Sequence, residues 1–276
     1  MLGQSIETTR VEAISEEESS HSLTYGIFVP DLMCNGASGG VGDEELVNIG
    51  LVHLYTVSCL YGWDKLSGYA SYIYAHGGTV EQVQACIRHL VVFSGYGPCL
   101  AAMSAMKKKG AIPHDTPGKI SSPCQDLHGN AFALVYHGVE ASVRRKVYDA
   151  DPVLENWIQG HLYGDVYSSP GLTMLQKQYL TVAGLVKSNM MEQLFGHAIA
   201  ALRFGATEEF LKGIIDIVEH VTREIHGPCI ATPEYKKAKR VIDMAIAKRA
   251  RTRETPESLD SVQIPDPSTV CIPDVP

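Results

Sequence analysis

The chain has no surplus of basic charge: 23 Lys and Arg stand against 31 Asp and Glu, a formal net charge of −8 with a pI near 5.7. Neutralising nucleic-acid phosphates needs an excess of Lys and Arg, so no nucleic-acid partner is expected, and an anionic membrane surface is disfavoured on the same ground. No stretch reaches the roughly 18 consecutive apolar residues that a bilayer-spanning helix requires. The opening segment MLGQSIETTRVEAISEEESS holds no apolar run of the signal-peptide kind. A cytoplasmic protein with no membrane partner is therefore expected. The seven cysteines (Cys34, Cys59, Cys86, Cys99, Cys124, Cys229, Cys271) include no C-x-x-C pair and no even framework, which points to reduced, mostly buried thiols.

What is present is enough apolar material, 45% of 276 residues, for one or two packed domains. Residues 1–22 carry Glu7, Glu12, Glu16, Glu17 and Glu18 against Arg10 and read as a flexible acidic leader. In residues 254–276 the prolines at 256, 265, 267, 273 and 276 leave no room for a helix, so an extended tail is expected.

Between these ends the chain echoes itself. Tyr25-Gly26 with Pro30-Asp31-Leu32 is echoed by Tyr163-Gly164 with Pro170-Gly171-Leu172. Gly77-Gly78-Thr79 returns as Gly205-Ala206-Thr207 after 128 residues, and Gly97-Pro98-Cys99-Leu100-Ala101 as Gly227-Pro228-Cys229-Ile230-Ala231 after 130. Three matches in one order at a nearly constant offset indicate an internal repeat. The Gly-rich stretch 35–42 reads as a loop inserted in the first copy.

Local signals inside each copy are helical. Leu175, Tyr179, Val182, Ala183 and Val186 recur at a 3.6-residue period, Ser188-Asn189 breaks it, and Met191 to Phe204 forms the next helix, closed by Gly205. Thr207 then caps a third helix with Glu208 and Glu209 in its first turn. In the first copy Thr79 and Gln82 form a capping box ahead of the apolar face Val83, Ile87, Leu90, Val91. The expected fold is all-α, a tandem duplication of one helical unit: residues 23–110, a connector over 111–145 with three prolines, and residues 146–253.

The segment YGDVYSSPGLTMLQKQYLTVAGLVKSNMMEQLFGHAIAALRFGAT, Tyr163 to Thr207, resembles the core of the carboxymuconolactone decarboxylase and alkylhydroperoxidase D (AhpD-like) superfamily. The marks are a Gly-containing entry, a helix, a second helix bearing Glu192-Gln193-Leu194 and His197, and G-x-T opening a third. The resemblance covers residues 140–232 directly and 25–107 through the repeat. Carried over by spacing, the peroxidase branch's Glu, Cys, Cys and His fall on Gln178, Met190, Gln193 and His197. A thioether and two amides cannot attack a peroxide as a thiolate does, which excludes thiol peroxidase chemistry at this site. The decarboxylase branch likewise lacks the cysteines and keeps the His, although Gln178 stands where it normally has Glu.

In the first copy Tyr69 occupies the position of His197, with Gly50, Gly62 and Lys65 at the others, and Tyr61, Trp63, Tyr69 and Tyr72 are candidates to line a pocket. What the resemblance implies is a cofactor-independent lyase or isomerase acting on a small carboxylated, enolisable metabolite or a lactone. His197 is the proton-transfer group, Gln178 and Gln193 assist it, and Met190, Tyr69 and Trp63 contact substrate. No cofactor is needed, because a substrate carbonyl accepts the electrons released with carbon dioxide. The alternatives are a non-catalytic paralogue serving as an assembly or ligand-binding protein, and a peroxide-handling protein using unpaired thiols such as Cys99 or Cys229.

Three further features have plainer readings. His220 and Glu224 form a surface pair, the basic run 236–253 is the solvated face of a last amphipathic helix, and Cys99 and Cys229 are small residues at turns. Because each unit exposes more apolar surface than it can cover, a homo-oligomer, dimer or trimer, is expected.

Overall fold

A computed structural model describes residues 42–113, 131–227 and 233–254. The acidic leader, the Gly-rich stretch short of Gly42, most of the tail and Cys34, Cys124, Cys229 and Cys271 lie outside the described residues. Among those described there are twelve α-helices, one π-helix and no strand, so the fold is all-α. No described helix is long and apolar enough to cross a membrane.

The first half runs α1 (Asp43–Cys59), α2 (Leu66–Ala75), α3 (Val80–His89), α4 (Val91–Ser94) and α5 (Tyr96–Lys108). A linking region follows with α6 (Ala131–Val135), α7 (Glu140–Ala150), α8 (Pro152–Trp157) and the π-helix Ile158–Val166. The second half is α9 (Met174–Lys187), α10 (Met191–Arg203), α11 (Glu208–His226) and α12 (Pro233–Glu254).

Two helices are buried on every face, which puts them at the centre. α1 is buried continuously from Val47 to Cys59 and α9 from Gln176 to Val186, and the two pack on each other. Each is followed by a helix that packs back on it, α2 on α1 and α10 on α9. The next helix does the same, α3 on α1 and α11 on α9, and α5 and α12 then lie against α3 and α11.

The starts and stops have local causes. Thr79 accepts from the Gln82 amide at 3.1 Å while the Gln82 side chain accepts from the Thr79 amide at 2.9 Å. Thr173 and Gln176 repeat that capping box at 3.1 and 3.0 Å, and Thr207 caps the Phe210 amide at 3.1 Å. Left-handed residues end the helices: Gly77 and Gly205 at φ 83° and 102°, Gly95 and Gly227 at 78° and 86°. The turn before α5 is thus made by Gly95. Gly97, Pro98 and Cys99 lie in the first turn of α5, where Pro is tolerated because the early amides have no intrahelical partner.

The face expected to run unbroken through Val83, Ile87, Leu90 and Val91 is interrupted at Leu90, between α3 and α4. Beyond the break the Phe93 ring lies on Gly184 of α9, where a Cβ would come within 2.4 Å of it.

The connector expected over 111–145 also carries structure of its own, α6 and the first half of α7. α7 has no buried residue. It is held to α8 by Arg144 and Glu155 at 2.9 Å and to α10 by the ion pair of Lys146 with Glu192.

Candidate functional site

Gln178 sits in the middle of α9 with no exposed surface, and His197 lies on α10, 6% exposed. The hairpin between them closes at Asn189, whose φ of 56° is left-handed, a conformation that Asn adopts more readily than most residues. This brings His197 Nδ1 to 2.8 Å from Gln178 Oε1. The amide oxygen can only accept, so Nδ1 carries the proton and Nε2 keeps its lone pair.

On the Nε2 side the Tyr136 hydroxyl donates over 3.4 Å, and the Tyr163 hydroxyl donates to that of Tyr136 over 3.2 Å. The three bonds run in one direction, from Tyr163 through Tyr136 and His197 to Gln178. The walls are aromatic: Phe132 lies 4.6 Å from the Tyr136 ring and 4.9 Å from that of Tyr163, centroid to centroid. Tyr163 comes from the π-helix, a rare winding that is frequent at functional sites.

Burial pushes the His197 imidazole down to about 4, so it is neutral at pH 7. Burial also raises the Tyr136 and Tyr163 hydroxyls. One donor is left over: Gln178 Nε2 is buried and has no hydrogen-bond partner among the described residues. Such a group costs about 1–3 kcal/mol unless something accepts from it.

A second buried network adjoins the first. His89 of α3 meets Thr181 Oγ1 through Nε2 at 3.1 Å. Thr181 Oγ1 also bonds the Tyr167 hydroxyl at 2.5 Å and donates to the Lys177 carbonyl at 2.8 Å. Lys177 Nζ donates to the carbonyls of Tyr167 and Ser169 at 2.6 and 2.5 Å. Burial first, then the charges of Lys177 and His197, press His89 down to about 3.

The remaining candidates are dispersed. Gln193 is exposed one turn before His197, and Met190 is 42% exposed at the start of α10. Tyr69 is buried in the first half, stacked on His53 at 5.3 Å, while half-buried Trp63 meets the Tyr61 ring edge at 5.5 Å and Tyr72 lies against His76 at 4.4 Å. Of these four rings Tyr61 and Trp63 thus take each other, while Tyr69 and Tyr72 take separate histidines.

Cys99 is half-buried with its thiol on the Ile87 carbonyl, and burial raises it; Cys59 is pushed up to about 11 and Cys86 is raised as well. Glu224 pairs with Lys65 at 2.5 Å. Within the basic run, Lys239 pairs with Asp216 at 2.6 Å. Among the described residues no group of three or more His, Cys, Asp or Glu is placed to hold a metal.

Phe132 and Tyr136 escaped sequence reasoning because they belong to the connector. In the sequence Tyr163 stands out only as the start of a repeat and of the segment that carries the resemblance. A cavity of about 320 Å³ opens between the end of α10, the start of α11 and α12, beside Leu202, Thr207, Glu209 and Arg249, and none of the site residues lines it. Compared with known proteins, the chain matches no family model and no curated protein.

Proposed function

We propose that this chain is a cofactor-independent lyase or isomerase that moves a proton on a small enolisable metabolite, a carboxylated compound or a lactone, through His197. The observation that carries the reading is the 2.8 Å bond from His197 Nδ1 to Gln178, which leaves a neutral imidazole with its Nε2 lone pair in a buried site. Nε2 takes the proton from the carbon acid, and the amide oxygen of Gln178 holds the imidazolium that forms. The unpartnered Gln178 Nε2 is a donor of the kind an enolate oxygen satisfies.

The reading keeps the resemblance to the carboxymuconolactone decarboxylase group and the tandem duplication. The duplication is supported by left-handed residues at Tyr61 and Asn189 and at Gly77 and Gly205, each pair 128 apart. A homo-oligomer, dimer or trimer, fits the exposure of Val153, Leu154 and Trp157 on α8, 58%, 46% and 64%. The cytoplasm is the proposed compartment.

The test is a screen of enolisable acids and lactones in deuterated water, reading carbon dioxide release and exchange at carbon. His197→Asn is expected to lose about 10²- to 10⁴-fold in rate with helicity kept. A substrate turned over equally well by that variant refutes the reading.

The contact of Tyr136 with Nε2 favours one competing reading, a non-catalytic ligand-binding or assembly protein, in which a ligand binds and no exchange occurs. Thiol-based peroxide chemistry has less support, since burial raises all three described thiols.

A further inference from the structure

The protein already holds one of its own side chains on the reactive nitrogen. Tyr136 places a neutral phenol hydroxyl 3.4 Å from His197 Nε2 and lays its ring between Phe132 and His197, 4.6 and 5.8 Å away centroid to centroid. The residue lies just past the five-residue helix α6, in a bend that continues to Gly138 at φ 78°. Arg203 of α10 holds that helix end by donating to the carbonyls of Leu134 and Val135. Tyr136 is only half-buried, whereas His197 beneath it is 6% exposed. A ligand reaches Nε2 by replacing this phenol.

The side chains that the described contacts set on His197 and on the replaced phenol are uncharged. Gln178 stands on one nitrogen of His197 and tyrosines on the other. Lys177, next to Gln178 in α9, keeps its charge but directs its ammonium to the carbonyls of Tyr167 and Ser169, and Arg203 directs one guanidinium nitrogen to those of Leu134 and Val135. No carboxylate, ammonium or guanidinium contributes to the shift of His197. A carboxylate carried into these walls would lose its hydration and gain no counter-ion, a cost of several kcal/mol. A neutral ring with one carbonyl or hydroxyl, like the phenol it replaces, loses little.

From Tyr136, Gln178 and the aromatic walls we infer that this site takes an uncharged, planar, oxygen-bearing ring, a phenol, an enol or an unsaturated lactone, and that Tyr136 is its internal stand-in. The inference rests on the reading of His197 as the reacting base. It selects the neutral lactone or enol over a free carboxylate at the reacting end and makes the chemistry an isomerisation.

The experiment titrates 2-naphthol and 2-naphthoate, matched in shape and respectively neutral and anionic at pH 7, into the full chain. The same titrations are run on Tyr136→Ala and Tyr136→Phe. The readout is the ¹⁵N shift of the His197 ring, assigned by its loss in His197→Asn. 2-Naphthol is expected to move that resonance, to bind about 10-fold more tightly to Tyr136→Ala, and to exceed 2-naphthoate by about 100-fold. Tyr136→Phe keeps the ring, so it guards against a folding defect, and a gain of about threefold is expected there. If 2-naphthoate binds His197 as well as 2-naphthol does, the uncharged class is overturned while the base role of His197 stands. If neither moves the His197 resonance in any of the three proteins, the stand-in role of Tyr136 is overturned, and deuterium exchange alone then judges the base.

Discussion

The Gln176 side-chain Nε2 donates to the Asn48 side-chain oxygen over 2.9 Å, buried between α9 and α1, and the two residues are 128 apart. That is the spacing of Gly77 from Gly205 and of Thr79 from Thr207. Where two copies of a unit meet about a local two-fold axis, a residue on the axis meets its own counterpart, so this contact supports a duplication whose halves face each other through α1 and α9. Asn48→Ala is expected to strand the Gln176 donor in the core and to cost about 1–3 kcal/mol. Urea denaturation of that variant checks it, and an unchanged midpoint would show that the bond contributes nothing.

Tyr61 and Asn189 are the two non-glycine residues with positive φ among those described, at 63° and 56°, and they too lie 128 apart, at the ends of α1 and α9. Asn tolerates this conformation and a bulky aromatic does not. Tyr61 is 57% exposed and touches Trp63 only edge-on, so little packing is at stake. Tyr61→Asn is accordingly expected to stabilise the protein by about 0.5–1 kcal/mol, seen as a rise of a few degrees in Tm. A fall in Tm would mean that the Tyr61–Trp63 contact outweighs the strain.

The two buried imidazoles make stability depend on pH, and the sign follows from their direction. Burial holds His197 near 4 and His89 near 3, both below the ordinary 6.5, so the unfolded chain binds more protons in the interval. Their contribution is complete above about pH 6.5 and is lost as pH falls, levelling off only beneath the folded values. Each is worth on the order of a few kcal/mol. His89→Gln, which retains a donor for Thr181, and His197→Gln are each expected to flatten the decline in stability between pH 6.5 and 4.5. A slope identical to that of the unmodified chain would show that neither ring is buried neutral.

What could be read from the chain alone was local. The Thr79, Thr173 and Thr207 caps and the glycines at 77 and 205 act within four residues of themselves, so their residue types disclose them. Gln178 and His197 are reached only through the resemblance, whose spacing sets them on two successive helices, and the break at Ser188-Asn189 turns those helices toward each other. Tyr136 stands 61 residues from His197 and is held there by the bonds of Arg203 to the carbonyls of Leu134 and Val135 and by the packing of Phe132 and Val135 with Tyr163, Tyr167 and Ala200, and no local pattern records so distant a capture. The π-helix bearing Tyr163 has no residue signature that separates it from an α-helix. Gln193 stays outside the site because the cluster closes over His197 from the connector side, while in the preceding turn of α10 Met191 and Leu194 are buried and Glu192 and Gln193 are exposed.

The last expectation concerns the bond from His197 to Gln178, whose neutral amide adds no charge beside an imidazole that burial holds neutral. Gln178→Glu keeps the shape and puts a carboxylate on Nδ1, which favours the imidazolium and raises the His197 pKa from about 4 by about one to three units. Gln178→Leu removes the acceptor from Nδ1–H, freeing the ring to exchange tautomers. If His197 is the base, both variants lower turnover of a neutral substrate by about 10- to 100-fold for opposite reasons. The Glu variant regains rate as pH rises past its new pKa, and the Leu variant does not. Titration of the His197 ¹⁵N resonances in the three proteins, run beside the rate profiles, separates these outcomes. If Gln178→Glu leaves the His197 titration where it was, the 2.8 Å contact does not govern the ring, and the proton-transfer reading loses its main support.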